Sequence, residues 1–221
     1  MTARQFTFEV KGQHFYKNGK KSFLNSGEIH YFRIKRELWE KHLTAAIEAG
    51  LDTVSSYIPW DWHEIEEGTF DFNGSTHPQR DLLAWIKLCK SLNIQLILKP
   101  GPFILAEYRG AGLPSWFLEK HGKEVKMRNS AGQIVQSDGV SLFHDLYLEK
   151  VRLWYDQIMP IIASNQSCFE GPVIMMQVCN EIGVFSWLAH QADYSPYVKP
   201  RWIQFLKQTF SSITELNQLW G

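Results

Sequence analysis

The sequence predicts an α/β fold, a (β/α)8 TIM barrel of which this 221-residue chain holds about the first half to five-eighths. Three observations lead there. Apolar strand-like runs alternate with amphipathic helical runs, the pattern of a parallel sheet covered by helices. Polar and aromatic residues gather where several different strands end, as the barrel requires of its functional face. Only four such strands are complete by residue 180, whereas a closed barrel has eight. One domain over 1–221 is expected, preceded by a short hairpin at about 6–22.

Taken in order, Phe6, Phe8 and Val10 alternate before the tight-turn dipeptide Asn18-Gly19, which reads as the hairpin. Phe23 to Phe32 reads as the first strand of the main fold, ending in Glu28, His30 and Arg33. Helical spacing of Leu38, Trp39, Leu43, Ala46 and Ile47 places a helix over 36–49, with Gly50 at its C-cap position. Thr53 to Ile58 is a second strand, stopped by Pro59. A helix over 79–91 follows on Leu82, Leu83, Ile86 and Leu88, then a strand Ile94 to Leu98 ended by Pro100-Gly101-Pro102. A long polar loop is expected over 104–142, a helix over 144–163, and a fourth strand from Val173 to Val178, closed by Asn180-Glu181. Trp202, Phe205, Leu206, Phe210, Leu216 and Leu219 place a last helix over about 198–219.

Several function classes are disfavoured by what the chain lacks. Lys plus Arg and Asp plus Glu both number 23, so the zero net charge argues against a nucleic-acid partner. Gly110-Ala111-Gly112 does not continue to the third glycine of a dinucleotide-binding turn, and no P-loop is present, so the open doubly wound sheet loses its usual ligand. The three cysteines form no Cys-x-x-Cys pair, and His63-Glu64 continues as Ile65-Glu66-Glu67 rather than as a zinc helix. No metal and no cofactor is therefore expected. No run reaches the roughly 18 apolar residues of a membrane span, and the first ten residues lack a leader's apolar core, so a cytoplasmic location is the expectation.

What remains favours carbohydrate chemistry. Aromatic residues make up 14% of the chain, either as core or as flat platforms for sugar rings. A carboxylate at a strand end, beside an amide and surrounded by rings, suits a general acid, because apolar surroundings disfavour its charge. Glu181 beside Asn180 has that setting, and Glu107 lies beyond the third strand. Read alone, Glu181 could be structural and Glu107 merely solvated. His30 and Arg33 could be packing and salt-bridge residues, and His63 and Glu64 could serve turn geometry. Trp39, Trp85, Trp154 and Trp202 read as core, while Tyr57, Trp60 and Tyr108 read as rim aromatics facing a sugar.

The motifs together resemble the start of the catalytic domain of glycoside hydrolase family 35, the β-galactosidases, within the clan of retaining (β/α)8 glycosidases. They run Ser26-Gly27-Glu28-Ile29-His30-Tyr31-Phe32-Arg33, Tyr57-Ile58-Pro59-Trp60-Asp61-Trp62-His63-Glu64, Lys99-Pro100-Gly101-Pro102-Phe103-Ile104-Leu105-Ala106-Glu107, Gly112-Leu113-Pro114-Ser115-Trp116 and Gln177-Val178-Cys179-Asn180-Glu181. The resemblance implies retaining hydrolysis of terminal β-D-galactosyl or related residues, with Glu181 as acid/base catalyst. It also implies that Asn180 meets the sugar 2-hydroxyl and that Tyr57, Ala106 and Glu107 contact the glycone. Leu105, Tyr108, Cys179 and Ile182 depart from the family's common residues, which leaves the sugar open. The tail from Glu215 resembles family 42. The nucleophile, a glutamate ending the seventh strand in this clan, is expected beyond residue 221. The alternatives are a non-catalytic fragment or paralogue that at most binds sugar, and a homo-oligomer in which two half-barrels close on each other.

Overall fold

A computed structural model describes residues 7–135, 139–184 and 192–220. Phe6, with which the expected hairpin begins, and Gly221, the end of the tail motif, lie outside the described residues. The chain divides into two compact units, Met1–Trp116 with Trp154–Glu181, and Phe117–Leu153 with Ile182–Gly221.

The first unit opens with an antiparallel meander, β1 (Phe8–Lys11), β2 (His14–Lys17) and β3 (Lys20–Ser22). The expected hairpin therefore has a third strand. Asn18-Gly19 makes the second turn, with both residues at positive φ, 51° and 73°, as a tight two-residue hairpin turn demands.

The main sheet is parallel, in the order β4 (Ser26–Glu28), β5 (Thr53–Tyr57), β8 (Gln95–Ile104) and β9 (Val173–Asn180). These are the four strands the sequence predicts, in chain order, as in the first half of a barrel. Pairing runs Glu28 to Ser55, Tyr57 to Lys99 and Ile104 to Asn180, so the functional strand ends lie along one rim. Two sheet faces follow from the period of two. Glu28, Ser55, Tyr57 and Lys99 share one face, and the fully buried Val54, Ser56, Leu96 and Leu98 alternate onto the other. Helices α1 (Trp39–Glu48) and α3 (Leu82–Ser91) bury Trp39, Leu43, Leu82, Trp85, Ile86 and Cys89. Trp39 and Trp85 meet edge-on at 5.5 Å, and Tyr31 packs against both rings. Asp81 caps α3, accepting from the Ala84 amide at 2.9 Å.

β4 is shorter than the strand expected over 23–32, because Tyr31–Arg33 turns as a 3-10 helix and carries Tyr31 into the core. β8 is longer than expected and runs through Pro100 and Pro102. Its pairing with β9 is irregular between Leu98 and Gly101 and again between Gly101 and Ile104, which is where a sheet tolerates prolines. The carbonyls of Pro100 and Gly101 accept from Trp154 Nε1 and Tyr155 OH, each at 2.8 Å. Both rings belong to α5 (Asp145–Ser164). Gly171, just before β9, lies so close to the Asn165 backbone that a Cβ there would fall 1.8 Å from the Asn165 carbonyl oxygen. After Pro59 the chain forms a single helical turn, α2 (Trp60–His63), and a small hairpin of β6 (Glu64–Glu66) and β7 (Thr69–Phe70), both unforeseen.

The loop expected over 104–142 contains a helix, α4 (Ser115–Val125), whose first amide, on Ser115, donates to Asp61 Oδ1 at 3.0 Å. In the second unit, the single helix expected over 198–219 is two, α6 (Val198–Thr209) and α7 (Ile213–Trp220). Ser212 starts the second by accepting from the Glu215 amide at 3.1 Å. Trp202, expected in the core, is 47% exposed on α6, stacked against Phe205 at 5.4 Å. No described helix is long and apolar enough to cross a membrane.

Candidate active site

Four chain segments supply the rim. β4 leads out through Glu28 to His30 and the Tyr31–Arg33 turn; β5 ends on Tyr57, held by the Ile58 amide donating to the Lys99 carbonyl at 2.8 Å. β8 ends at Ile104 and delivers Leu105, Ala106 and Glu107. β9 ends at Asn180 and delivers Glu181.

Tyr57 is nearly fully buried, and burial pushes its phenol up to about 12, helped by the negative charges of Glu28, Glu181 and Glu107 and opposed by Arg33. Three predicted site residues, Tyr57, Glu107 and Glu181, therefore share one electrostatic neighbourhood, and Tyr57 keeps its proton as a hydrogen-bond donor. Ala106 and Glu107 join them through their backbone. Arg33 Nη2 donates to the Ala106 carbonyl at 3.0 Å and to the Glu107 carbonyl at 3.3 Å. Asn180 Nδ2 donates to the Leu105 carbonyl at 2.7 Å, tying the end of β9 to the end of β8. Its Oδ1 accepts from Gln177 Nε2 at 2.9 Å, which fixes the amide's orientation. One amide hydrogen of Asn180 is thus used within the protein and the second is left by the amide's chemistry for another acceptor.

Glu107, Cys179 and Glu181 have φ values of 47°, 56° and 52°. The left-handed region is uncommon for residues with a Cβ and costs about 1–2 kcal/mol, so strain is concentrated where the two candidate carboxylates leave their strands. Both carboxylates stand on exposed residues, so the ring-enclosed setting expected for Glu181 is not what the structure shows.

Beneath Tyr57 lies a charged cluster that the strand-end reading named only in part. Lys99 Nζ sits 4.6 Å from the Tyr57 ring centroid and is ion-paired with Glu28 Oε1. Ser55 Oγ donates to the same oxygen at 3.2 Å, and His30 Nε2 stands 3.7 Å from Glu28 Oε2. Burial raises the Glu28 carboxyl, but the Lys99 hydrogen bond and charge outweigh it, and the group lies below its ordinary range. The His30 ring packs between Tyr57 at 5.2 Å and Phe32 at 5.3 Å, and burial lowers its imidazole. Lys99 was within reach of sequence reasoning as the polar residue ending an apolar strand.

The rim aromatics divide. Tyr108 packs edge-on against Phe32 at 5.6 Å and is partly open to solvent. Trp60, expected to face a sugar, is instead fully buried, stacked on Trp154 at 6.3 Å with its Nε1 donating to Glu64. The single turn of α2 rolls its ring inward, away from the rim. His63, on the same turn, is also fully buried between Tyr31 OH and the Asp71 carbonyl, each at 2.6 Å. Among the described residues no group of three or more His, Cys, Asp or Glu side chains could hold a metal ion.

The family model for glycosyl hydrolases family 35 matches residues 14–218. A protein of Ignavibacterium album named as a β-1,2-glucosyltransferase is 51% identical over 209 residues, which cover 95% of this chain and 29% of that one. A β-galactosidase of Mus musculus is 34% identical over 201 residues, covering 91% and 28%. The solved β-galactosidase of the haloarchaeon Halorubrum lacusprofundi superposes with a TM-score of 0.63 at 20% identity, covering 90% of this chain and 27% of that structure. The chain thus spans under a third of the length of these relatives, and the structural likeness supports a partial barrel.

Proposed function

We propose that this chain, which belongs to glycosyl hydrolases family 35, provides the acid/base half of a retaining β-glycoside-processing site, with Glu181 as the catalyst. The observation that carries this reading is the convergence of Glu181, Glu107 and Tyr57 at the ends of three neighbouring strands, with Asn180 fixed beside Glu181. Glu181 would first protonate the oxygen of the leaving group, then accept a proton from the incoming nucleophile. The second carboxylate of a retaining pair, about 5–5.5 Å from the first, would come from polypeptide beyond residue 221. Tyr57, as a neutral phenol, and the second amide hydrogen of Asn180 would donate to glycone hydroxyls, and Glu107 would accept from one. The substrate is a carbohydrate, in keeping with the family.

Galactose is the glycone implied by the family resemblance and by the name of the mouse relative. The 51%-identical relative named for β-1,2-glucosyl transfer favours a second reading, in which a glucosyl group passes to a sugar acceptor rather than to water. Both use Glu181 in the same two roles. Glu181→Gln in the full natural polypeptide should lower kcat by about 10²–10⁴-fold on aryl β-glycosides with poor leaving groups, and far less with good ones. Undiminished turnover of the poor substrates would overturn the assignment. Parallel assays with aryl β-galactosides and β-glucosides, with and without added glucose, would separate hydrolysis from transfer.

A further inference from the structure

We propose that the Glu28–Lys99 ion pair is a positioning device for Tyr57, holding the phenol at the angle from which it meets the glycone; this rests on reading Tyr57 as a glycone contact. Parallel register places Lys99 directly beside Tyr57, on the same sheet face, so the ammonium lies against the ring at 4.6 Å. A cation over an aromatic face restrains the ring as well as attracting it. The Lys99 side chain is only 13% exposed, and an ammonium so enclosed requires a counter-charge. Glu28 supplies it from the neighbouring strand, and Ser55 Oγ anchors the same carboxylate oxygen at 3.2 Å. The His30 ring also meets the Tyr57 ring, at 5.2 Å, so two groups from different segments contact it. The chain reaches this arrangement with three residues, 28, 57 and 99, from three adjacent strands, none of which the acid/base chemistry itself employs.

The charged or titratable groups around the pair are His30 beyond β4, Arg33 on the following turn, Tyr57 on β5 and Glu107 and Glu181 at the ends of β8 and β9. None of these replaces Glu28 at Lys99 Nζ, where the Glu28 carboxylate forms the ion pair. Removing Lys99 leaves the Tyr57 ring without the cation over its face and leaves Glu28 without its partner. Removing Glu28 leaves Lys99 enclosed without its counter-charge. The two losses share one interaction, so they should not add.

The test compares Lys99→Met, Lys99→Arg, Glu28→Gln and the double variant Glu28→Gln/Lys99→Met in the full natural polypeptide. Lys99→Met should raise KM about tenfold with kcat changed less than about threefold, the signature of lost binding rather than lost chemistry. Lys99→Arg, which keeps a cation over the ring, should restore KM to within about threefold. The double variant should be no worse than Lys99→Met alone. Additive losses, an equal fall in kcat and kcat/KM, or a Lys99→Arg variant as impaired as Lys99→Met would each overturn the proposal. Unfolding midpoints of all four variants identify any loss that comes from stability alone, and a Lys99→Met protein with unchanged KM also refutes it. Glu181→Gln in the same series tests the site independently. If that variant is fully active, the active-site reading fails; if it is inactive while Lys99→Met binds normally, only the positioning role fails.

Discussion

His63 is enclosed on every side, and burial brings its imidazole down to about 4, although its bond to the Asp71 carbonyl works the other way. In an unfolded chain a histidine titrates near 6.5, so between about 6.5 and 4 the unfolded state binds more protons than the folded one. Stability is then complete above about 6.5 and falls as the pH drops toward 4, by on the order of 3 kcal/mol. Asp71 opens a second, lower window. Burial would raise its carboxyl, but the Thr76 hydroxyl and the amides of Asn73, Ser75, Gly74 and Thr76 hold it well below the carboxylate range. Its contribution is present above about 4 and lost below. Urea unfolding at stepped pH should show the first loss between 6.5 and 4 in the parent and a flatter profile there in His63→Gln. Asp71→Ala, which strands several donors, should cost about 2–4 kcal/mol at neutral pH. At this scale the sequence placed Asn180 and Glu181 at a strand end, where β9 stops, but misplaced Trp60. Whether a ring after Pro59 faces the rim or the core is set by one helical turn, which leaves no periodicity to read.

Helix ends and strand irregularities account for most of what the sequence left hidden among the elements. α4 begins at Ser115 because Asp61, 54 residues earlier, accepts from the Ser115 amide and hydroxyl. A cap supplied from so far away has no local signature, and the segment therefore reads as loop. Asp61→Ala should destabilise by about 1 kcal/mol, seen as a lowered urea midpoint, because the amide loses its acceptor. The break between α6 and α7 does carry a local signal, although the sequence reads as one helix. Ser212-Ile213-Thr214-Glu215 has the spacing of a capping box, and Glu215 Oε2 accepts from the Ser211 amide at 2.7 Å. Continuous apolar spacing across Phe210 concealed it. In β8 the prolines argued for an early end, yet the bulges place them without breaking the strand, and Trp154 and Tyr155 take up the carbonyls. Alternation and helical periodicity suffice for the regular cores of strands and helices; caps and bulges depend on partners that only the fold brings near.

The four-stranded sheet ends at β4 on one side and β9 on the other, and β9 leaves Val178 58% exposed and Met176 partly so. An open edge with apolar side chains invites pairing with another chain. The 221-residue polypeptide on its own should therefore self-associate at micromolar concentration, and Val178→Lys should shift it toward monomer in sedimentation velocity. Strand count against barrel closure made this visible from the sequence. The partner of that edge was not, because nothing within residues 1–221 supplies a fifth parallel strand among the described residues.

The left-handed backbone at Glu107 and Glu181 has a consequence for heredity. Glycine is the residue that such a φ favours, and a glutamate codon becomes a glycine codon by one substitution at its middle base. At these two positions the commonest kind of genetic error would relax the backbone while deleting a carboxylate. On the roles proposed for these two carboxylates, a lineage released from selection on its chemistry would drift in single steps toward well-folded, silent descendants, whose soundness of fold would give no sign of the loss.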